Sequence, residues 1–254
     1  MVHFVGAGCG AADLITLRGK ALLENADLII YAGSLINTEL LSFAKKDCGL
    51  YDSAKMTLEE VLSVITRAEG EGKTTVRLHS GDPCLYGATK EQMTQLDALG
   101  IKYDVCPGVS SFCGAAASLC EEYTPSGVSQ SVIITRMEGK TPVPEKENMR
   151  SLASHGATMV IFLSMSLLDK LQKELIAGGY PPETPAAIVY KASWEDEKIL
   201  RCTVGEIYRT AKDNGITKTA LVTVGDFLGD DFIRSQLYHS EFSTEFRKGK
   251  KGNE

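Results

Sequence analysis

The chain has 254 residues, 43% hydrophobic and 24% charged, with a net charge of −6. That is enough apolar material for a sizeable core and enough length for two domains. The acidic balance disfavours a nucleic-acid partner, and no apolar run reaches the roughly 18 residues of a membrane span. With no charged, cleavable leader at Met1-Val2-His3-Phe4-Val5, a cytoplasmic globular protein without a membrane partner is expected.

A strand over 2–5 leads into Gly6-Ala7-Gly8-Cys9-Gly10-Ala11-Ala12-Asp13. This satisfies G-x-G-x-x-A and invites a dinucleotide reading, in which backbone amides hold a pyrophosphate. Two features oppose it. The next strand, 28–31, ends in Ala32-Gly33-Ser34 with no acidic residue for the ribose hydroxyls, and Asp13-Leu14-Ile15-Thr16 delays the helix that should begin inside the glycine run.

Helices are expected over 16–25, 38–46 and 57–69, the last opened by a capping box, Thr57 with Glu60. A strand over 74–76 then enters Arg77-Leu78-His79-Ser80-Gly81-Asp82-Pro83-Cys84-Leu85-Tyr86-Gly87, and an amphipathic helix over 90–99 follows. Such junctions bind ligands in open α/β sheets because free amides and helix N-termini are exposed beyond the strand ends. Gly81 permits the turn, Asp82 can cap it, and Pro83 at a first helical position loses no needed donor. An ordinary strand-to-helix turn is the alternative. The strand over 101–106 ends in a second turn of this kind, Pro107-Gly108-Val109-Ser110-Ser111-Phe112, which opens an Ala-rich helix over 113–119. Alternating strands and helices make 1–122 an α/β domain with a parallel sheet.

Pro125 and Gly127 break the pattern, placing a linker at 123–130. A second α/β domain, 131–240, should hold strands over 131–135, 158–163, 186–190, 199–203 and 219–225. Its helices run over 167–177 and from the Thr203 and Glu206 capping box to 212, and 136–147, with Pro142 and Pro144, reads as a loop. The basic cluster Arg247, Lys248, Lys250 and Lys251 falls in what reads as a flexible tail, 241–254. Seven cysteines show no CxxC pair and no zinc-like spacing with the four histidines, so no metal site is expected. Cys113 and Cys120, seven apart, read as core residues on one helix face, whereas Cys9 and Cys84 sit on glycine-rich loops.

With these loops placed, the sequence resembles the tetrapyrrole (uroporphyrinogen/corrin) methyltransferase family over about 2–240. The residues that carry this are Val5-Gly6-Ala7-Gly8 with Asp13-Leu14-Ile15-Thr16, Ser80-Gly81-Asp82-Pro83, Pro107-Gly108-Val109-Ser110-Ser111, Phe162-Leu163-Ser164, Val189-Tyr190-Lys191-Ala192-Ser193, and Thr219-Ala220-Leu221 with Val224-Gly225. Within the family it is most similar to the branch that methylates C11 of precorrin-4 or its cobalt complex in cobalamin biosynthesis. Tyr31-Ala32-Gly33-Ser34-Leu35, Val128-Ser129-Gln130, Thr141-Pro142-Val143-Pro144-Glu145, His155-Gly156-Ala157-Thr158 and Trp194 support this. Cys9 departs from the family pattern, where proline is expected.

The resemblance implies two α/β domains of the tetrapyrrole methylase fold with a ligand trough between them, a homodimer, S-adenosyl-L-methionine as cofactor and a tetrapyrrole substrate. By motif matching, cofactor contacts fall at Ser80, Gly81, Asp82, Pro83, Leu85, Ser110, Ser111, Leu163, Ala192, Thr219 and Ala220. Methyl transfer from a sulfonium needs alignment and exclusion of water rather than a metal or a covalent nucleophile. An acidic protein must recognise the many carboxylates of its substrate with local cations, and Arg18, Arg77, Arg136 and Lys191 are the candidates, Arg136 first. For each, a solvated surface charge is the more common fate. His79 could relay a proton or make a structural hydrogen bond, Asp82 is a turn-former before it is a base, and Glu91 could face the trough. Three other readings stay open: a sibling acting at another tetrapyrrole position or on another acceptor, an NAD-dependent dehydrogenase, and a non-catalytic binding module.

Overall fold

The structure, a computed structural model, describes residues 1–249. Contacts divide the chain into two compact units, Met1–Ser118 with Lys191–Lys198, and Leu119–Tyr190 with the described residues from Ile199 onward. The segment 191–198 thus groups with the first unit although its flanking strands belong to the second, which a division in chain order does not reveal.

In the first unit, β1 (Val2–Gly6), β2 (Leu28–Tyr31), β3 (Gly49–Asp52), β4 (Thr75–His79) and β5 (Tyr103–Cys106) form one sheet in the order β3-β2-β4-β1-β5. All four pairings are parallel. Helices α1 (Leu17–Asn25), α2 (Leu58–Gly70), α3 (Thr89–Ala98) and α4 (Ser111–Leu119) alternate with the strands. One sheet face packs Val5, Val76 and Leu78 with Leu23 of α1, while the other packs Phe4 and Ile30 with Val61, Ile65 and Leu96 of α2 and α3. Burial on both faces explains why β4 is buried at every position. Thr16 caps α1 by accepting from the Gly19 amide, and the Thr57 and Glu60 capping box forms as expected.

Three local expectations are corrected. The stretch 38–46 is a run of 3-10 turns, Thr38–Phe43, because Ala44 leaves in an extended conformation. The strand β3 was not expected: it is a short edge strand holding Gly49 and Asp52 and exposing Leu50, so it shows no apolar alternation. Cys113 and Cys120 are exposed, since α4 ends at Leu119 and Cys120 turns away at φ 56°; Cys9 and Cys106 are the buried pair.

The second unit holds β6 (Val132–Arg136), β7 (Thr158–Phe162), β8 (Pro185–Tyr190), β9 (Lys198–Thr203) and β10 (Ala220–Val224) in the order β6-β7-β10-β8-β9. Only β6 and β7 pair in parallel among the three registered pairs; β10 runs antiparallel to both β7 and β8. Helices α5 (Met149–Ala153), α6 (Leu168–Gly178) and α7 (Ile207–Asp213) cover an apolar face built from Met159, Ile161, Ile188 and Val222. The Thr203 and Glu206 capping box is present. Within 241–249 the Arg247 guanidinium donates to the carbonyls of Leu237, His239 and Phe242. Lys250 and Lys251 of the basic cluster lie outside the described residues. Among the described residues no helix is long and apolar enough to cross a membrane.

Candidate active site

Three glycines from three strand ends meet in the first unit. A Cβ on Gly6 would lie 2.6 Å from Gly108 Cα and Gly81 O, and one on Gly108 would lie 2.3 Å from Gly81 O, so only backbone fits here. Gly8 and Gly81 also form a bridge, each amide donating to the other's carbonyl at 3.2 and 2.9 Å. Asp82 ties the two turns together: one carboxylate oxygen accepts from the Cys84 amide at 2.8 Å and the other from the Gly108 amide at 2.9 Å. Burial pushes the Asp82 pKa up, but the bonds from Cys84 and Gly108 outweigh it and the carboxyl ends below its ordinary value. It is therefore an ionised bracket, the turn-forming role among its sequence readings.

Gly81 sits at φ 62°, and a side chain there would point at the Ser111 amide, 3.4 Å away, and at Ser110 Cα, 3.5 Å away. Ser110 precedes α4 and accepts its first amide bonds, and Ser111 opens the helix. Ser80, Gly81, Asp82, Pro83, Leu85, Ser110 and Ser111 are thus brought together on one face of the first unit. Ala192 joins this unit at 6% exposure. In the second unit the register pairs Val222 with Ile161 and Ala220 with Tyr190. Continued by two residues, it sets Leu163 opposite Ala220, beside Thr219, at one end of that sheet. Leu163 is 63% exposed, an unusual fate for a leucine at a strand end. Leu163 at φ 51° and Thr219 at φ 57° are left-handed non-glycine residues, as are Lys191 and Ser193 on either side of Ala192. Strain of this kind collects at ligand clamps.

The first glycine loop is closed to a pyrophosphate. Its Ala7 amide donates to His79 O at 2.7 Å, Gly8 to Gly81 O, and Ala11 to Ser193 Oγ at 3.0 Å. A Cβ on Gly10 would lie 2.3 Å from the Trp194 ring. Three amides of the loop are thus already bonded to protein.

The three catalytic candidates stand in different surroundings. His79 is 4% exposed and stacks on Phe4 with ring centroids 5.9 Å apart; burial, with the Arg77 charge beside it, lowers its pKa to about 3. It stays neutral and out of contact with solvent, which suits packing rather than proton relay. Its Nε2 makes no hydrogen bond among the described residues. Glu91 is exposed, and its neighbour Gln92 turns inward instead, accepting from Arg77 Nε at 3.0 Å and donating to Ala88 O at 3.1 Å. Arg136 donates to the carbonyls of Met137, Thr141 and Pro142 at 2.8–3.2 Å and so closes its own loop.

The remaining cations divide likewise. Arg77, 7% exposed, bonds Gln92 and the Ile30 carbonyl, and burial lowers its pKa to about 10. Lys191 pairs with Asp196 at 2.6 Å. Arg18 is exposed on the first turn of α1, next to Leu17 at 90% exposure, and Leu14 in the loop before it is 38% exposed. Sequence reasoning missed Gln92, Ser193 and Glu197. Only the Ala192-Ser193 motif pointed near any of them.

Residues 1–208 match the model of the tetrapyrrole (corrin/porphyrin) methylases. The chain belongs to this family. It is 53% identical to a cobalt-precorrin-4 C(11)-methyltransferase of Methanocaldococcus jannaschii, over 98% of this chain and 97% of that one. A precorrin-4 C(11)-methyltransferase of Mycobacterium tuberculosis is 44% identical, over 93% and 95%. The X-ray structure of a cobalt-precorrin-4 methyltransferase superposes with a TM-score of 0.88 at 42% identity, covering 90% of this chain and 96% of the other.

Proposed function

We propose that the protein transfers a methyl group from S-adenosyl-L-methionine to C11 of cobalt-precorrin-4, giving cobalt-precorrin-5 in cobalamin biosynthesis. Relatives with this activity in their names, matched over almost their whole length, support the reaction. The single observation that carries the donor assignment is the junction of two strand-end turns, where Gly81 at φ 62° packs on the Ser110 and Ser111 turn and Asp82 locks both loops. Backbone brought together at a strand end and a helix start fits the polar groups of such a donor.

When bound, the donor supplies an electrophilic methyl group on sulfur together with its own leaving group. The chain's residues supply position. Ser80, Gly81, Asp82, Pro83, Leu85, Ser110, Ser111 and Ala192 of the first unit would hold the donor; Leu163, Thr219 and Ala220 of the second unit are assigned to it by the family resemblance. Leu85 would help to wall it from water, which strengthens polar contacts and protects the reacting groups. For the substrate, Arg18 replaces Arg136 as the cation of choice. Arg18 is exposed, as are Leu14 and Leu17 close to it in the chain, and a cation near apolar side chains suits a macrocycle edged with carboxylates. A cytoplasmic homodimer belongs to the same reading, supported by the family resemblance, and light scattering of the purified protein checks the dimer.

The test is incubation with cobalt-precorrin-4 and methyl-labelled S-adenosyl-L-methionine. One added label located at C11 by NMR is the expected result. Label at another carbon, or turnover only with the metal-free precorrin, would refute the assignment as stated.

A further inference from the structure

Lys191 at φ 48° and Ser193 at φ 65° stand on either side of Ala192. Residues with side chains keep this conformation only where the surroundings over-determine it. Here the surroundings converge on one carboxylate. Glu197 Oε2 accepts from the Ser193 amide at 2.5 Å and from Ser118 Oγ at 2.5 Å. Ser118 lies in the last turn of α4, whose first turn carries Ser111, so Glu197 couples the strained segment to the helix that opens at the proposed donor site. The segment has little other freedom. The Trp194 amide bonds Lys191 O at 3.0 Å and the Glu197 amide bonds Trp194 O at 3.1 Å, forming two successive turns. Ser193 Oγ accepts from Ala11, and the Trp194 ring lies on Gly10.

We propose that Glu197 is a positioning residue for the methyl donor. It fixes the left-handed backbone at Lys191 and Ser193 and thereby presents Ala192 to the ligand without touching it. Charge-assisted bonds to an amide and a hydroxyl are strong enough to stabilise this strained geometry. The proposal rests on the donor assignment above, of which Ala192 is a part.

Calorimetric titration with S-adenosylhomocysteine, using wild type, Glu197→Ala, Glu197→Gln and Ser118→Ala, tests it. Glutamine keeps an acceptor oxygen for both bonds and alanine does not. Glu197→Ala should weaken binding by about tenfold and raise KM for S-adenosyl-L-methionine in proportion, with kcat at saturation nearly unchanged. Glu197→Gln should recover most of the affinity. Should Glu197→Ala fail to fold, Ser118→Ala, which removes one of the two bonds, must show a smaller loss in the same direction. Wild-type affinity in a folded Glu197→Ala protein, or a glutamine variant as weak as the alanine one, would overturn the proposal. Wild type that binds no S-adenosylhomocysteine would instead remove the donor assignment, and this proposal with it.

Discussion

Two glycine-rich loops leave neighbouring strands of the first sheet, and they are built to opposite ends. In the loop after β1 the amides of Ala7, Gly8 and Ala11 are bonded to His79, Gly81 and Ser193, and Gly10 lies under Trp194. In the loop after β4 the Gly81 amide bonds Gly8 O, the Asp82 carboxylate accepts from Cys84 in its own turn and from Gly108 in the next, and Gly81 packs on the turn that opens α4. Glycines announce that backbone must come close to something. Whether that something is a ligand or the protein itself depends on where the neighbouring amides are directed, and here the loop with the better-known glycine spacing is the one that packs on protein.

The comparison breaks most visibly at Gly108. A valine there would press its Cβ against Gly81 O at 2.3 Å, a backbone atom that cannot swing aside. Gly108→Val should lose about 3 kcal/mol or more of folding stability in urea titrations, and wild-type stability would show that the junction is looser than drawn. His79 underlies both loops and comes next. Its imidazole stays neutral in the folded protein down to about pH 3, whereas in the unfolded chain it takes up a proton below about 6.5. Its contribution to stability is thus complete above pH 6.5 and declines as the pH falls. Between pH 7 and 5 this amounts to about 2 kcal/mol, a slope that His79→Gln should lack; parallel pH profiles for the two proteins would refute the buried neutral state.

Gly81→Val should cost about 1–2 kcal/mol through left-handed strain yet remove S-adenosylhomocysteine binding, since the side chain would occupy the face toward Ser110 and Ser111. Unchanged calorimetric affinity would relocate the donor. The smallest effect belongs to the first loop. Ser193→Ala leaves the Ala11 amide without its acceptor and should cost about 1 kcal/mol without creating any affinity for NAD. A gain of NAD binding would mean that Ser193 alone keeps a nucleotide out.

Much of this was legible from local chemistry. Apart from β3 and the 3-10 turns at Thr38–Phe43, the order of strands and helices, the capping boxes at Thr57 and Thr203, and the turns at Gly81 and Gly108 announce themselves through a few adjacent residues. What stayed hidden depends on partners far along the chain or on one residue of helical rotation. Glu91 and Gln92 are neighbours, and only the packing of α3 on the sheet decides that the amide turns inward to Arg77 while the carboxylate meets solvent. Arg136 looked like a free cation because the loop carbonyls that bind it have no side-chain signature. The grouping of 191–198 with the first unit rests on Ser118, Ala11 and Gly10, all more than 70 residues away.

The most direct test of the central claim is competition dialysis of the wild-type protein against S-adenosyl-L-methionine, S-adenosylhomocysteine and NAD together, with the retained molecules identified by mass. Retention of the sulfonium or its demethylated product, and of no NAD, is the result expected from the loop at Gly81. Retention of NAD alone would contradict it and return the loop at Gly6 to the centre of the molecule.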